Sequence, residues 1–116
     1  MFEFPPEFDV DVFVGSTLEL ISFNATQVHF YFDSGRISVC TYSPFKRTTD
    51  AHVEVVRMPV LQSDLMVLIE HSVTEAATED GQFLILTFDN GQVLRFETVG
   101  GYESYEVVVD GKLTMI

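Results

Sequence analysis

At 116 residues, with 47% hydrophobic and 21% charged residues, the chain is the length of one compact domain, and folding should bury about 65% of its chain surface. Eighteen Asp plus Glu against six Lys plus Arg give a formal charge of −12, which leaves no basic surface for phosphate backbones and excludes a DNA or RNA binder. Eleven Phe and four Tyr exclude intrinsic disorder despite that charge.

The start, Met1-Phe2-Glu3-Phe4-Pro5-Pro6-Glu7, has neither the basic nor the apolar region of a secretory signal. Residues 1–12 read as an N-terminal arm in which Phe2, Phe4 and Phe8 flank Pro5-Pro6 without helical or strand period. Their burial calls for this domain or a neighbour, and an arm packed across a symmetric homodimer is one expectation. The single cysteine, Cys40, cannot form an internal disulfide and fits a reducing cytoplasm. The longest wholly apolar run, Leu65-Met66-Val67-Leu68-Ile69, falls far short of the ~20 residues that span a bilayer, so no membrane association is expected.

An internal repeat organises the rest. Phe30-Tyr31-Phe32-Asp33-Ser34-Gly35-Arg36-Ile37 aligns with Leu86-Thr87-Phe88-Asp89-Asn90-Gly91-Gln92-Val93, both carrying Phe-Asp-x-Gly. Two copies are too few for a solenoid. β-Branched and aromatic runs bounded by Gly, Asp, Asn and Pro predict strands near 17–23, 27–33, 36–42, 52–57, 72–78, 82–89, 92–98, 104–109 and 112–116. The fold expected is mainly β, with two related three-stranded antiparallel meanders forming a sandwich or half-open barrel. Residues 13–58 make the first repeat, residues 59–71 a bridge holding one short helix over 63–70, and residues 72–116 the second repeat with a C-terminal hairpin. A two-residue turn at Ser34-Gly35 pairs Phe32 with Ile37, Phe30 with Val39 and His29 with Cys40. A bulged turn at Gly91 pairs Leu86 with Leu94 and Leu84 with Phe96. Asp110-Gly111 suits a type I′ hairpin turn. Pro44-Phe45-Lys46-Arg47-Thr48-Thr49-Asp50, with the only adjacent basic pair, reads as a solvated loop.

No residue combination points to catalysis, a metal or a cofactor. His29 beside Cys40 has no glycine-rich oxyanion loop after it, and a lone Cys in a β-rich chain is usually a small buried hydrophobe. His29, His52 and His71 lack metal-ligand spacing, since Glu70 and His71, adjacent on a strand, would point to opposite faces. Acidity concentrates in residues 70–110, where nine carboxylates face one basic residue, Arg95. Such a face steers basic partners. Gly100-Gly101-Tyr102-Glu103-Ser104-Tyr105-Glu106 supplies tyrosines of the kind enriched at interfaces.

The two Phe-Asp-x-Gly hairpins, the bridge Asp64-Leu65-Met66-Val67-Leu68-Ile69 and the closing Tyr102-Glu103-Ser104-Tyr105-Glu106 together resemble small uncharacterised bacterial proteins of a domain-of-unknown-function type, from about residue 13 onward. Some of these look like immunity partners of polymorphic toxins. The resemblance implies a cytoplasmic protein-binding module that occludes a basic partner. Combined with the acidic second half, it makes Tyr102, Glu103, Tyr105, Glu106, Arg95 and Glu97 the expected partner-binding residues. Two other classes stay open: a small-ligand or enzymatic domain with a pocket between the sheets, using His29, Cys40 or Arg95, and a structural or oligomerisation domain.

Overall fold

The computed structural model describes residues 3–50, 52–98 and 104–116. It is mainly β: two five-stranded antiparallel sheets that do not close into a barrel. The strands are β1 (Leu18–Phe23), β2 (Val28–Phe32), β3 (Ile37–Thr41), β4 (Phe45–Thr49), β5 (His52–Val56), β6 (Val73–Glu79), β7 (Phe83–Phe88), β8 (Val93–Phe96), β9 (Tyr105–Val109) and β10 (Lys112–Met115). One sheet has the order β1-β2-β3-β9-β10 and the other β5-β4-β8-β7-β6.

Neither sheet is built from one half of the chain alone, so the strands do not form the two self-contained three-stranded meanders expected. The β4–β5 hairpin leaves the first half and pairs through β4 with β8; the β9–β10 hairpin returns and pairs through β9 with β3. The expected loop at Pro44–Asp50 is therefore a central strand. Its alternation is hidden because Arg47 faces inward beside Phe45, both buried, where an apolar residue would have announced a strand. The expected helix over 63–70 shrinks to a 3₁₀ turn, Leu65–Leu68, whose Leu65 and Leu68 enter the core. It has a counterpart at Val10–Phe13, inside what reads as an arm.

The hairpin registers follow the apolar alternation. Phe32 opposes Ile37, Phe30 opposes Val39 and His29 opposes Cys40; across the second hairpin Leu86 opposes Leu94 and Leu84 opposes Phe96. The inner faces meet in a phenylalanine core. Phe30 packs edge-on against Phe45 (5.6 Å between centroids) and Phe96 (5.5 Å), contacts worth about 0.5–1.5 kcal/mol each beyond area burial.

Backbone bonds between the halves come in matched pairs. Leu18 N donates to His71 O (3.0 Å) and Val73 N to Ser16 O (2.9 Å); Gly15 N donates to Val73 O (2.8 Å) and Glu70 N to Leu18 O (2.7 Å). Gly15 and Glu70 both hold positive φ, +86° and +74°. Each repeat therefore begins at its 3₁₀ turn, before residue 13 in the first case. The N-terminal segment lies on its own domain: Phe4 is buried, stacked on Phe8 (4.6 Å) and tilted against Tyr105 (6.1 Å). Phe4 and Phe8 thus pack on this domain, while Phe2 lies outside the described residues.

Candidate functional site

The six expected partner residues do not gather. Tyr102 and Glu103 lie outside the described residues. Tyr105 faces the core, fully buried, its ring beside Phe96 (5.7 Å) and its hydroxyl donating to Gln82 O (2.5 Å), so it offers no surface to a partner. Strand alternation turns Glu106 the other way, onto the outer face of the first sheet, where the Tyr42 hydroxyl donates to its carboxylate. Arg95 and Glu97 sit on the outer face of the other sheet. There Arg95 pairs with Glu79 (3.0 Å) and Glu97 (3.2 Å), Lys46 pairs with Glu97 (3.2 Å), and the Arg95 guanidinium lies 4.8 Å above the Phe83 ring. The reason is the crossover: β9 follows β8 in sequence but joins the opposite sheet.

On the first sheet's outer face, His29 and Cys40 are cross-strand neighbours. His29 Nδ1 is hydrogen-bonded to the Tyr31 hydroxyl (2.7 Å). The Cys40 thiol is hydrogen-bonded to Tyr42, and burial pushes its pKa up to about 11. A thiol held protonated at neutral pH is a poor nucleophile, because the thiolate is the reactive form. His71 bonds Asp89 (2.6 Å) at the other end of the molecule. Among the described residues no three of His, Cys, Asp and Glu assemble into a metal site, and no helix is long and apolar enough to cross a membrane.

Charge pairing reveals a different surface. Arg36 is paired with Asp33 and Asp110, Lys46 with Glu97, Arg47 with Glu54 and Asp64, and Arg95 with Glu79 and Glu97. Glu3, Glu7, Asp9, Asp11, Glu75 and Asp80 are exposed and have no ion pair among the described residues. The N-terminal segment is laid along β6, with Phe4 N donating to Gly81 O (2.7 Å) at one end and Gly15 N to Val73 O (2.8 Å) at the other, which sets its four acids beside the strand and turn that carry Glu75 and Asp80. In the sequence the acidity concentrates in residues 70–110, and the N-terminal segment stands out only for its phenylalanines. The four acids between positions 3 and 11 were the missed signal.

Beside this surface runs an open groove of about 200 Å³ between the N-terminal segment and the β9–β10 hairpin. Phe8, Val12 and Val109 form its apolar walls, and Glu7, Asp9 and Lys112 carry charge along it. Asp9 caps the 3₁₀ turn, accepting from Asp11 N (3.0 Å). On the opposite flank the corresponding place is filled from within by Arg47, whose side chain is 7% exposed and reaches Glu54 (3.2 Å) and Asp64. The guanidinium holds the Asp64 carboxyl below the usual carboxylate range.

No family model matches the chain, and neither a curated protein nor a solved structure does.

Proposed function

We propose that the protein is a non-enzymatic protein-binding module that presents a carboxylate surface to a basic partner in a reducing cytoplasm. The observation that carries this reading is the set of six exposed carboxylates that make no ion pair among the described residues, Glu3, Glu7, Asp9 and Asp11 on the N-terminal segment with Glu75 and Asp80 on the strand and turn it runs along. Arg36, Lys46, Arg47 and Arg95 are drawn into ion pairs elsewhere. A one-signed patch raises the association rate of an oppositely charged partner and selects against acidic ones. The immunity-like version, occlusion of a basic cleft, is the sharpest form. The free, buried Cys40 agrees with a reducing compartment.

The enzymatic alternative draws less support. Phenylalanine rings fill the space between the sheets where its pocket would lie, and the His29–Cys40 pair carries a protonated thiol. The test is affinity capture with the tagged protein from its own cells at moderate salt. A near-stoichiometric basic protein is expected, lost when Glu7→Gln, Asp11→Asn and Glu75→Gln are combined and released as salt rises. Capture of no partner, or a partner indifferent to that triple change, overturns the reading.

A further inference from the structure

We propose that the groove between the N-terminal segment and the β9–β10 hairpin seats one arginine side chain of the basic partner. This deepens the reading above and rests on it. The argument comes from the protein's own internal correspondence. The two outer hairpins match position for position: Arg47 opposes Glu54 as Val107 opposes Thr114, and Thr49 opposes His52 as Val109 opposes Lys112. Both turn through an aspartate at φ +50°, Asp50 and Asp110. Facing each hairpin is an aspartate at the head of a 3₁₀ turn, Asp64 before Leu65–Leu68 and Asp9 before Val10–Phe13.

On one flank this frame grips a guanidinium. Arg47 reaches out of β4 and lies between Glu54 and Asp64. On the other flank Val107 replaces the arginine, and its short side chain ends in the core, fully buried. The place where a guanidinium would lie, between Asp9 and Thr114, is the open groove. At about 200 Å³ it is smaller than the roughly 300–1,000 Å³ of small-molecule sites and suits a single long side chain. Phe8, Val12 and Val109 would cover the methylene stem, while Asp9 and Glu7 meet the charged head in charge-assisted hydrogen bonds. Thr114 stands where Glu54 stands opposite, so the grip is weaker than that on Arg47. The exposed Lys112 has no ion pair among the described residues and opposes an incoming cation.

The test titrates the ¹⁵N-labelled protein with a capped peptide, Gly-Ser-Arg-Ser-Gly, and with its neutral citrulline analogue. Expected are saturable shifts of the Asp9–Val12 and Val109–Thr114 amides with the arginine peptide and an affinity about tenfold lower for citrulline. Combining Glu7→Gln with Asp9→Asn, which keeps the turn-capping oxygen, should likewise lower affinity about tenfold, and Lys112→Ala should raise it. Equal affinity for the two peptides, or shifts confined to other residues, overturns the assignment. If the peptide avoids the groove while the captured partner is still lost on neutralising Glu7, Asp11 and Glu75, the groove fails and the binding role stands. If the peptide fills the groove but no partner depends on the acidic surface, the binding role fails alone.

Discussion

Thr17 and Ser72 meet side chain to side chain, Oγ1 to Oγ 2.8 Å apart, at the one antiparallel bridge that joins the two sheets among the described residues. Each is tied to the aspartate of its own Phe-Asp-x-Gly turn. Thr17 N donates to Asp33 Oδ1 (3.0 Å) and Asp33 N to Thr17 O (3.1 Å); Ser72 N donates to Asp89 Oδ2 (3.3 Å) and Asp89 N to Ser72 O (2.8 Å). The repeated motif therefore anchors the start of each repeat's first strand. Asp33→Ala, which strips the acceptor from a half-buried amide, should cost about 1–2 kcal/mol in urea denaturation, and Asp33→Asn, which keeps an oxygen, less.

Asp89 carries a pH signature. The hydrogen bond from His71 holds its carboxyl below the usual range, helped by the backbone of Ser72. A depressed folded-state pKa adds stability above the unfolded value, and that stability disappears as pH falls through the folded value. Thermal midpoints at pH 7, 5 and 3 should show Asp89→Asn penalised most at pH 7, with the gap to the parent narrowing as pH falls to 3.

Cys40 runs the other way. Its pKa of about 11 means that the native state keeps a proton which the unfolded chain, at 9.0, releases. The associated stability is intact below pH 9 and drains away as pH rises through about 11. At pH 8 iodoacetamide should modify the native protein about a hundredfold more slowly than the denatured chain, read by intact mass over time.

Arg47 predicts an asymmetry between cation and anions. Its guanidinium is buried, with Nε lacking a partner among the described residues, whereas Asp64 is largely exposed. Arg47→Met leaves carboxylates that water can reach and should change stability by less than about 1 kcal/mol. Combining Glu54→Gln with Asp64→Asn strands a buried cation, and its urea midpoint should fall well below that of Arg47→Met.

The left-handed pair Gly15 and Glu70 gives a backbone test. Nothing crowds a Cβ at Gly15, so Gly15→Ala should cost about 1–2 kcal/mol through conformation alone. Glu70→Gly relieves the same strain and should stabilise by about 0.5–1 kcal/mol, less the added freedom of the unfolded chain. Denaturant midpoints of the two variants should move in opposite directions.

The hairpins were legible in the sequence because apolar alternation marks which residues share a face, as in Phe30, Phe32, Ile37 and Val39. Partnership between distant strands was not, since periodicity records orientation and says nothing of neighbours. That is why Tyr105 and Glu106 read as one surface with Arg95 and Glu97, although a crossover separates them. β4 escaped because an inward arginine imitates a solvent-facing one. The charged site was half legible: the acids between Glu3 and Asp11 stand in plain view, but only the pairing of Lys46, Arg47 and Arg95 with carboxylates shows which acids remain unspent.

The exchange of hairpins makes the two halves interdependent in time. β3 must wait for β9, and β4 for β8, each at a separation of more than forty residues of chain. Such distant pairing pays loop-closure entropy before any contact repays it, which places folding in the slow millisecond-to-second regime of high-contact-order β proteins. During synthesis the β4–β5 hairpin emerges with a bare edge and stays so until β8 arrives. Its adjacent Lys46 and Arg47 put charge along that waiting edge, the device by which exposed strands resist pairing with the wrong neighbour.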